Sequence, residues 1–315
     1  MLARSHPDVH SVVPEGLSIG VDEMRAVVAR SGRRPSLGHW QVVLIEDADR
    51  LTEQASNALL KAVEEPPART VMLLCVPSLH PDDVAVTIRS RCRLVTLRTP
   101  GAADVASVLS EEGFDERTAT WAAAAGQGHV GRSRRLARDE DARARREEVL
   151  AIPASLTSLS ACLAAADRLV SAAEAESAAL SAELDVVETE SLQVSLGSGG
   201  TGKGVAASVR GSAGALRELE RKQKSRSKRT VIDALDRALV DLAAFYRDVL
   251  LQQSGSPVPR AHPDFADDVV SVGQQVGGAG VLQRLNAVLA CREALDLNVK
   301  PRVAVEALTA QLRLP

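Results

Sequence analysis

Three stretches of the 315-residue chain place reactive residue types where they could do chemistry. In the first, four apolar residues, Val42 to Ile45, run straight into Glu46-Asp47-Ala48-Asp49. That is how a buried strand of a parallel sheet delivers carboxylates to its carboxyl edge, where a ligand or a partner meets them. The second is Ser90-Arg91-Cys92, whose permanently charged, forked guanidinium suits a γ-phosphate. The third, Gly197 to Gly204, matches GxxxxGK but ends in glycine, where a phosphate cradle needs Ser or Thr. Only a weak strand precedes it, so the expectation there is a flexible linker.

The elements that must position these residues follow from periodicity. Leu51, Ala55, Ala58, Leu59, Ala62 and Val63 recur at helical spacing, with Thr52 as N-cap and Glu53 in the first turn. Pro66 and Pro67 stop that helix. Apolar strands are expected at Val71 to Val76 and at Leu94 to Leu97, and a short one at Val9 to Val13. A helix opening at Val21 carries Met24, Val27 and Val28 on one face and ends at Ser31-Gly32, before a surface turn at Arg33, Arg34 and Pro35. Alternating strands and helices predict a parallel α/β layer with right-handed crossovers.

At these residues a family resemblance emerges. The run NALLKAVEEPP followed by SRC closely resembles the clamp-loader branch of the AAA+ ATPases, and the acids ahead of it resemble those of the delta-prime subunits of bacterial DNA polymerase III. The resemblance spans most of the chain, with its specificity concentrated in residues 42 to 98. It implies an α/β plus all-α protein: an incomplete AAA+ parallel-sheet domain over residues 1–98, a helical lid over 99–150, and a helical collar or oligomerisation domain over 151–315 with a flexible or basic insert at about 185–229. The family's P-loop, and the four-cysteine zinc module of delta-prime, would precede the first residues here. The expectation is therefore a truncated sequence or a start codon called too late, with any zinc confined to the missing segment.

The same resemblance assigns roles. An active Walker B strand ends in Asp-Glu, the first acid holding magnesium and the second polarising water. Here the order is Glu46-Asp47. Each carboxylate is then misplaced by about one methylene, a shift that can cost roughly a hundredfold in rate. A degenerate, non-hydrolysing site is expected, with strand-end acids serving only as caps or surface charge as the plainer reading. Arg91, within Ser90-Arg91-Cys92, would act as an arginine finger in trans on ATP-Mg held by a neighbouring motor subunit, while Arg89 and Arg93 suit local ion pairs. Arg134 falls at the sensor-2 position. The chain itself would hold no cofactor and no metal. Its partners would be the tau/gamma motor and delta subunits in a hetero-oligomer, with the sliding clamp and primer-template DNA met through the complex, as part of the DNA polymerase III holoenzyme.

Two other readings stay open. One is a tau/gamma-like ATP-hydrolysing motor whose own start is missing. The other is a DNA-binding scaffold using Arg217, Arg221, Lys222, Lys224, Arg226, Lys228 and Arg229, a run that is by default a solvated helix face or mobile insert.

Composition narrows the class. The net charge is −3, with 25% charged and 45% hydrophobic residues, so DNA contact would have to come from a local patch. Aromatics at 2% leave few base-stacking platforms. The four cysteines, Cys75, Cys92, Cys162 and Cys291, form no CxxC pair and read as reduced, cytoplasmic thiols. No apolar run approaches the roughly 20 residues of a membrane span. His39 and His129 stand alone, without a nucleophile constellation.

Overall fold

Alternation of apolar strands with amphipathic helices builds a three-stranded parallel sheet in the N-terminal part of the chain. The structure, a computed structural model, describes residues 6–196 and 205–315. Two compact units divide the chain: unit one holds Met1–Thr96 and Glu183–Arg229, and unit two holds Leu97–Ala182 and Thr230–Pro315.

In unit one the order is β1 (Val9–Val12), α1 (Val21–Ser31), β2 (Gln41–Ile45), a 3₁₀ turn (Ala48–Arg50), α2 (Glu53–Glu64), β3 (Thr70–Leu74) and the short α3 (Val86–Arg89). The strands lie side by side as β1-β2-β3, all parallel, with Val9 opposite Val42 and Val42 opposite Val71. Thr52 caps α2, accepting from the Ala55 amide at 3.2 Å, a contact worth about 1 kcal/mol. Val43 and Ile45 of β2 pack with Met24 and Val27 of α1 and with Ala55 and Leu59 of α2 in one aliphatic core. Leu59 is fully buried there, so truncation to alanine would cost about 2–5 kcal/mol.

Two differences from expectation stand out. Val71 and Leu73 are 39% and 48% exposed, so β3 is packed on one face rather than two. Leu94 to Leu97 joins no ladder and is open to solvent. Apolar residues alone do not make a strand; the backbone groups need a neighbouring strand, and the sheet does not take this segment up.

Unit two is helical. It contains α4 (Ala102–Glu111), α5 (Glu116–Gly126), α6 (Val130–Arg138), α7 (Glu140–Leu150), the short α8 (Ile152–Ser155), α11 (Ala266–Gln275), α12 (Gly278–Asp296) and α13 (Pro301–Leu312). Val105, Leu109, Ala119, Ala122, Ala123 and Leu136 form the core of α4 to α6. Residues 99–150 thus share a unit with residues 151–182 and 230–315.

Two long helices, α9 (Leu159–Ser195) and α10 (Val205–Gln253), contribute to both units. Leu235, Leu239, Leu242, Phe245, Tyr246 and Val249 of α10 are buried, as their three-to-four spacing predicts. Of residues 185–229, expected as an insert, 185–195 and 205–229 are helical. The glycine-rich stretch Gly197 to Gly204 lies outside the described residues. Among the described residues no helix is long and apolar enough to cross a membrane, and no group of three or more His, Cys, Asp or Glu side chains could hold a metal ion.

Candidate functional site

The carboxyl edge of β2 presents the first two acids to different partners. Glu46 accepts from the Ser11 hydroxyl at 2.9 Å, a residue carried by the neighbouring strand β1. Asp47 adopts a left-handed backbone, φ 50°, and opens the 3₁₀ turn. Aspartate tolerates this region better than most residues, because its short polar side chain bonds locally. The next amide, of Ala48, donates to the Cys75 carbonyl at 2.8 Å, pinning the turn to the end of β3.

Asp47 does not stand open. Arg229 of α10 donates from Nη2 to Asp47 Oδ2 at 2.6 Å and from Nη1 to the Pro14 carbonyl, while Arg50 Nε stands 3.9 Å from the same carboxylate oxygen. The acid therefore already has a cation within its own unit. Beside it, burial and then the charges of Glu46 and Asp47 push the Cys75 thiol up, leaving it protonated and unreactive. Burial likewise raises the Asp49 carboxyl.

Sequence reasoning missed Arg229 as a site residue and placed it in a solvated basic run. The structure corrects that default for two of the seven, Arg226, which pairs with Asp185 and Glu188, and Arg229 itself, while Arg217, Arg221, Lys222, Lys224 and Lys228 lie on an exposed helix face as expected. The acids of α9 were the available signal. Asp185 and Glu188 recur at i, i+3 on one helix opposite a basic helix, a pattern for which two helices of an antiparallel arm pair.

Arg91 follows α3 at the other end of the run of residues 42 to 98. It pairs with Glu64, the last residue of α2, and donates from Nη1 to the Thr87 carbonyl at 2.9 Å and the Ser90 hydroxyl at 3.2 Å. Ser90 thus braces the guanidinium, and the Arg91 side chain remains 39% exposed. Cys92 is exposed. Arg89 donates to the Leu79 carbonyl at 2.7 Å, a backbone tie where a local ion pair was expected.

Arg134 lies in unit two, on α6, where it forks onto Glu112 with Nε at 2.7 Å from Oε2. The hydrogen bond and charge of Arg134 hold the Glu112 carboxyl below the usual carboxylate range. His129 accepts from the Arg132 amide at 3.1 Å and is the N-cap of α6. His39 is exposed.

Comparison with known proteins bears on residues 1–101, which match the family described as DNA polymerase III, delta subunit. The chain is 40% identical over 114 residues to DNA polymerase III subunit delta' of Escherichia coli, covering 36% of this chain and 34% of that one. It is 41% identical over 101 residues to the Haemophilus influenzae subunit, covering 32% and 30%, and 40% identical over 105 residues to that of Pseudomonas aeruginosa, covering 33% and 31%. The matched stretch spans about a third of the length of these curated relatives. A solved DNA polymerase III gamma subunit-related protein from Thermotoga maritima overlays on 97% of this chain and 83% of its own at 20% identity and a TM-score of 0.37, too loose to argue from. Over its N-terminal third, where the acidic strand end, the capped helix and the Ser90-Arg91-Cys92 turn all lie, the chain is similar to the delta-prime subunits of bacterial DNA polymerase III.

Proposed function

We propose that the chain is a delta-prime-type subunit of a DNA polymerase III clamp loader, a non-hydrolysing AAA+ partner that helps load the sliding clamp onto primed DNA. In this reading Arg91 is offered in trans to ATP-Mg on a neighbouring tau/gamma motor, and Arg134 marks the sensor-2 position. Residues 99–150 form the lid, and residues from 151 form the collar that meets the motor and delta subunits. The observation that carries the proposal is the similarity over residues 1–101 to delta-prime subunits, a stretch that includes both the acids and the finger.

The geometry of the acids supports the non-hydrolysing part. A catalytic carboxylate must be free to hold magnesium or polarise water, yet Asp47 is bound by Arg229 and Glu46 by Ser11. Arg91, by contrast, sits on a partly exposed turn beside a single glutamate. Exchange of one exposed carboxylate for a γ-phosphate is energetically modest, because exposed ion pairs are worth only about 0–1 kcal/mol.

Reconstitution tests this directly. The Arg91→Ala chain, assembled with motor and delta subunits, should lose DNA-stimulated ATPase by roughly a hundredfold or more while the isolated chain folds normally. Wild-type stimulation by that variant would overturn the assignment.

A further inference from the structure

Six arginines converge on one cavity of about 110 Å³ inside unit two, walled by α6, α7, α9 and α10. They are Arg132, Arg135, Arg145, Arg146, Arg168 and Arg237, and only three carboxylates, Glu148, Glu176 and Asp241, share the lining. Arg132 is answered by Asp241, and Arg146 by Asp264 at 2.7 Å. The remaining pairing is lopsided. Glu176, 9% exposed, accepts from Arg135 at 2.6 Å and from Arg237 at 2.8 Å, with Arg145 Nε at 3.7 Å from its other oxygen. Asp139 is shared by Arg135 and Arg145 at 3.5 and 3.7 Å, and the charge of Asp233 acts on Arg237.

Two donors are left over. Arg168 lines the cavity with no hydrogen bond or ion pair among the described residues. Nε of Arg146, whose side chain is 3% exposed, also has no acceptor. Burial, together with the neighbouring Arg135 and Arg132, pulls the Arg237 guanidinium below its usual range, although Glu176 opposes this. Arg135, Arg145 and Arg237 keep 34%, 35% and 37% of their side chains open, so a dissolved anion can reach them, and like charges held this close gain from an added anion. Guanidinium forks match phosphate oxygens two at a time, and charge-assisted bonds of that kind are about twice as strong as neutral ones.

We propose that this cavity binds a small phosphate-bearing anion of pyrophosphate size, held by Arg135, Arg145, Arg168 and Arg237. Glu176 then serves as the spacer that keeps three of those guanidiniums aimed at one point. The anion is either free or the tail of a nucleotide, since the lining recognises the phosphates in both.

Calorimetric titration of the full chain with sodium pyrophosphate, against sodium chloride at equal ionic strength, tests the site. The expected result is saturable one-to-one binding that falls at least tenfold in the Arg145→Ala/Arg168→Ala chain. Should that variant unfold, Arg168→Glu alone serves, because Arg168 is exposed and unpaired, and the same tenfold loss is expected. A parallel titration with ATP separates the sources: affinity above that for pyrophosphate identifies a nucleotide tail, and equal affinity a free anion. Heat that follows ionic strength alone overturns the proposal. So does binding that survives both variants undiminished, since the anion would then sit away from this cavity.

Discussion

Arg229 and Asp47, 182 positions apart in sequence, meet at 2.6 Å at the carboxyl edge of β2. The Arg229 side chain is 15% exposed and that of Asp47 45%, so the pair is only partly screened by water. Arg229→Ala should destabilise unit one by about 1–2 kcal/mol in urea titration, and a double-mutant cycle with Asp47→Ala should return a coupling of about 0.5–1 kcal/mol. A coupling near zero would show that Arg229 acts through the Pro14 carbonyl instead.

Glu64 neutralises Arg91 from the end of α2. Glu64→Gln should keep the fold within about 0.5 kcal/mol, as surface substitutions do. In the reconstituted complex it should stimulate ATPase at least as well as the unmodified chain, because a finger freed of its local partner reaches a γ-phosphate more readily. Loss of stimulation would mean that Glu64 positions Arg91 rather than merely neutralising it.

Buried His262 gives unit two an acid limit. Arg146 Nη2 stands 2.8 Å from its Nδ1 and can only donate, so Nδ1 accepts and Nε2–H donates to the Asp241 carbonyl at 3.2 Å. The imidazole is thus neutral in the fold. Burial first, then the charge of Arg146, lowers its pKa from 6.5 to about 4, with Arg132 adding to this and Asp264 and the Asp241 carbonyl opposing it. The unfolded chain takes up the proton first as pH falls. Stability is therefore complete above about pH 6.5 and declines between pH 6.5 and pH 4, by up to about 3 kcal/mol. Urea midpoints of wild type and His262→Gln across that window should converge at low pH; parallel pH profiles would remove His262 as the cause.

Gly126 ends α5 against α6. A Cβ built there would lie 1.9 Å from the Ser133 hydroxyl and 3.1 Å from the Ser133 amide nitrogen. Gly126→Ala should cost about 1–3 kcal/mol by overpacking, and adding Ser133→Ala should recover part of it, read as a rise in thermal midpoint.

The difference between what sequence revealed and what it hid is physical. The Thr52 cap and the Pro66-Pro67 stop were legible because each depends on neighbours within a dozen residues. The close approach of α5 and α6 at Gly126 was not legible, since the residue that demands glycine, Ser133, lies on the next helix. Leu94 to Leu97 misled because a strand is defined by its ladder, not its side chains. At the candidate site the acids and Ser90-Arg91-Cys92 were visible from types and spacing, while Ser11, Glu64 and Arg229 were not. Each of these reaches its partner across at least 27 positions of chain.

Unit one is discontinuous in the chain, and this sets a timetable for its birth on the ribosome. The sheet and α1 to α3 emerge early, but the arm carrying Arg229 follows only after residues 97–182 of unit two have been made. At roughly 5–20 residues per second, the acidic strand end waits many seconds for the cation that covers it. Through that interval Ser11 and Arg50, made with the sheet, stand beside Glu46 and Asp47 without Arg229, so the acidic edge passes through a less neutralised state that the finished chain does not show.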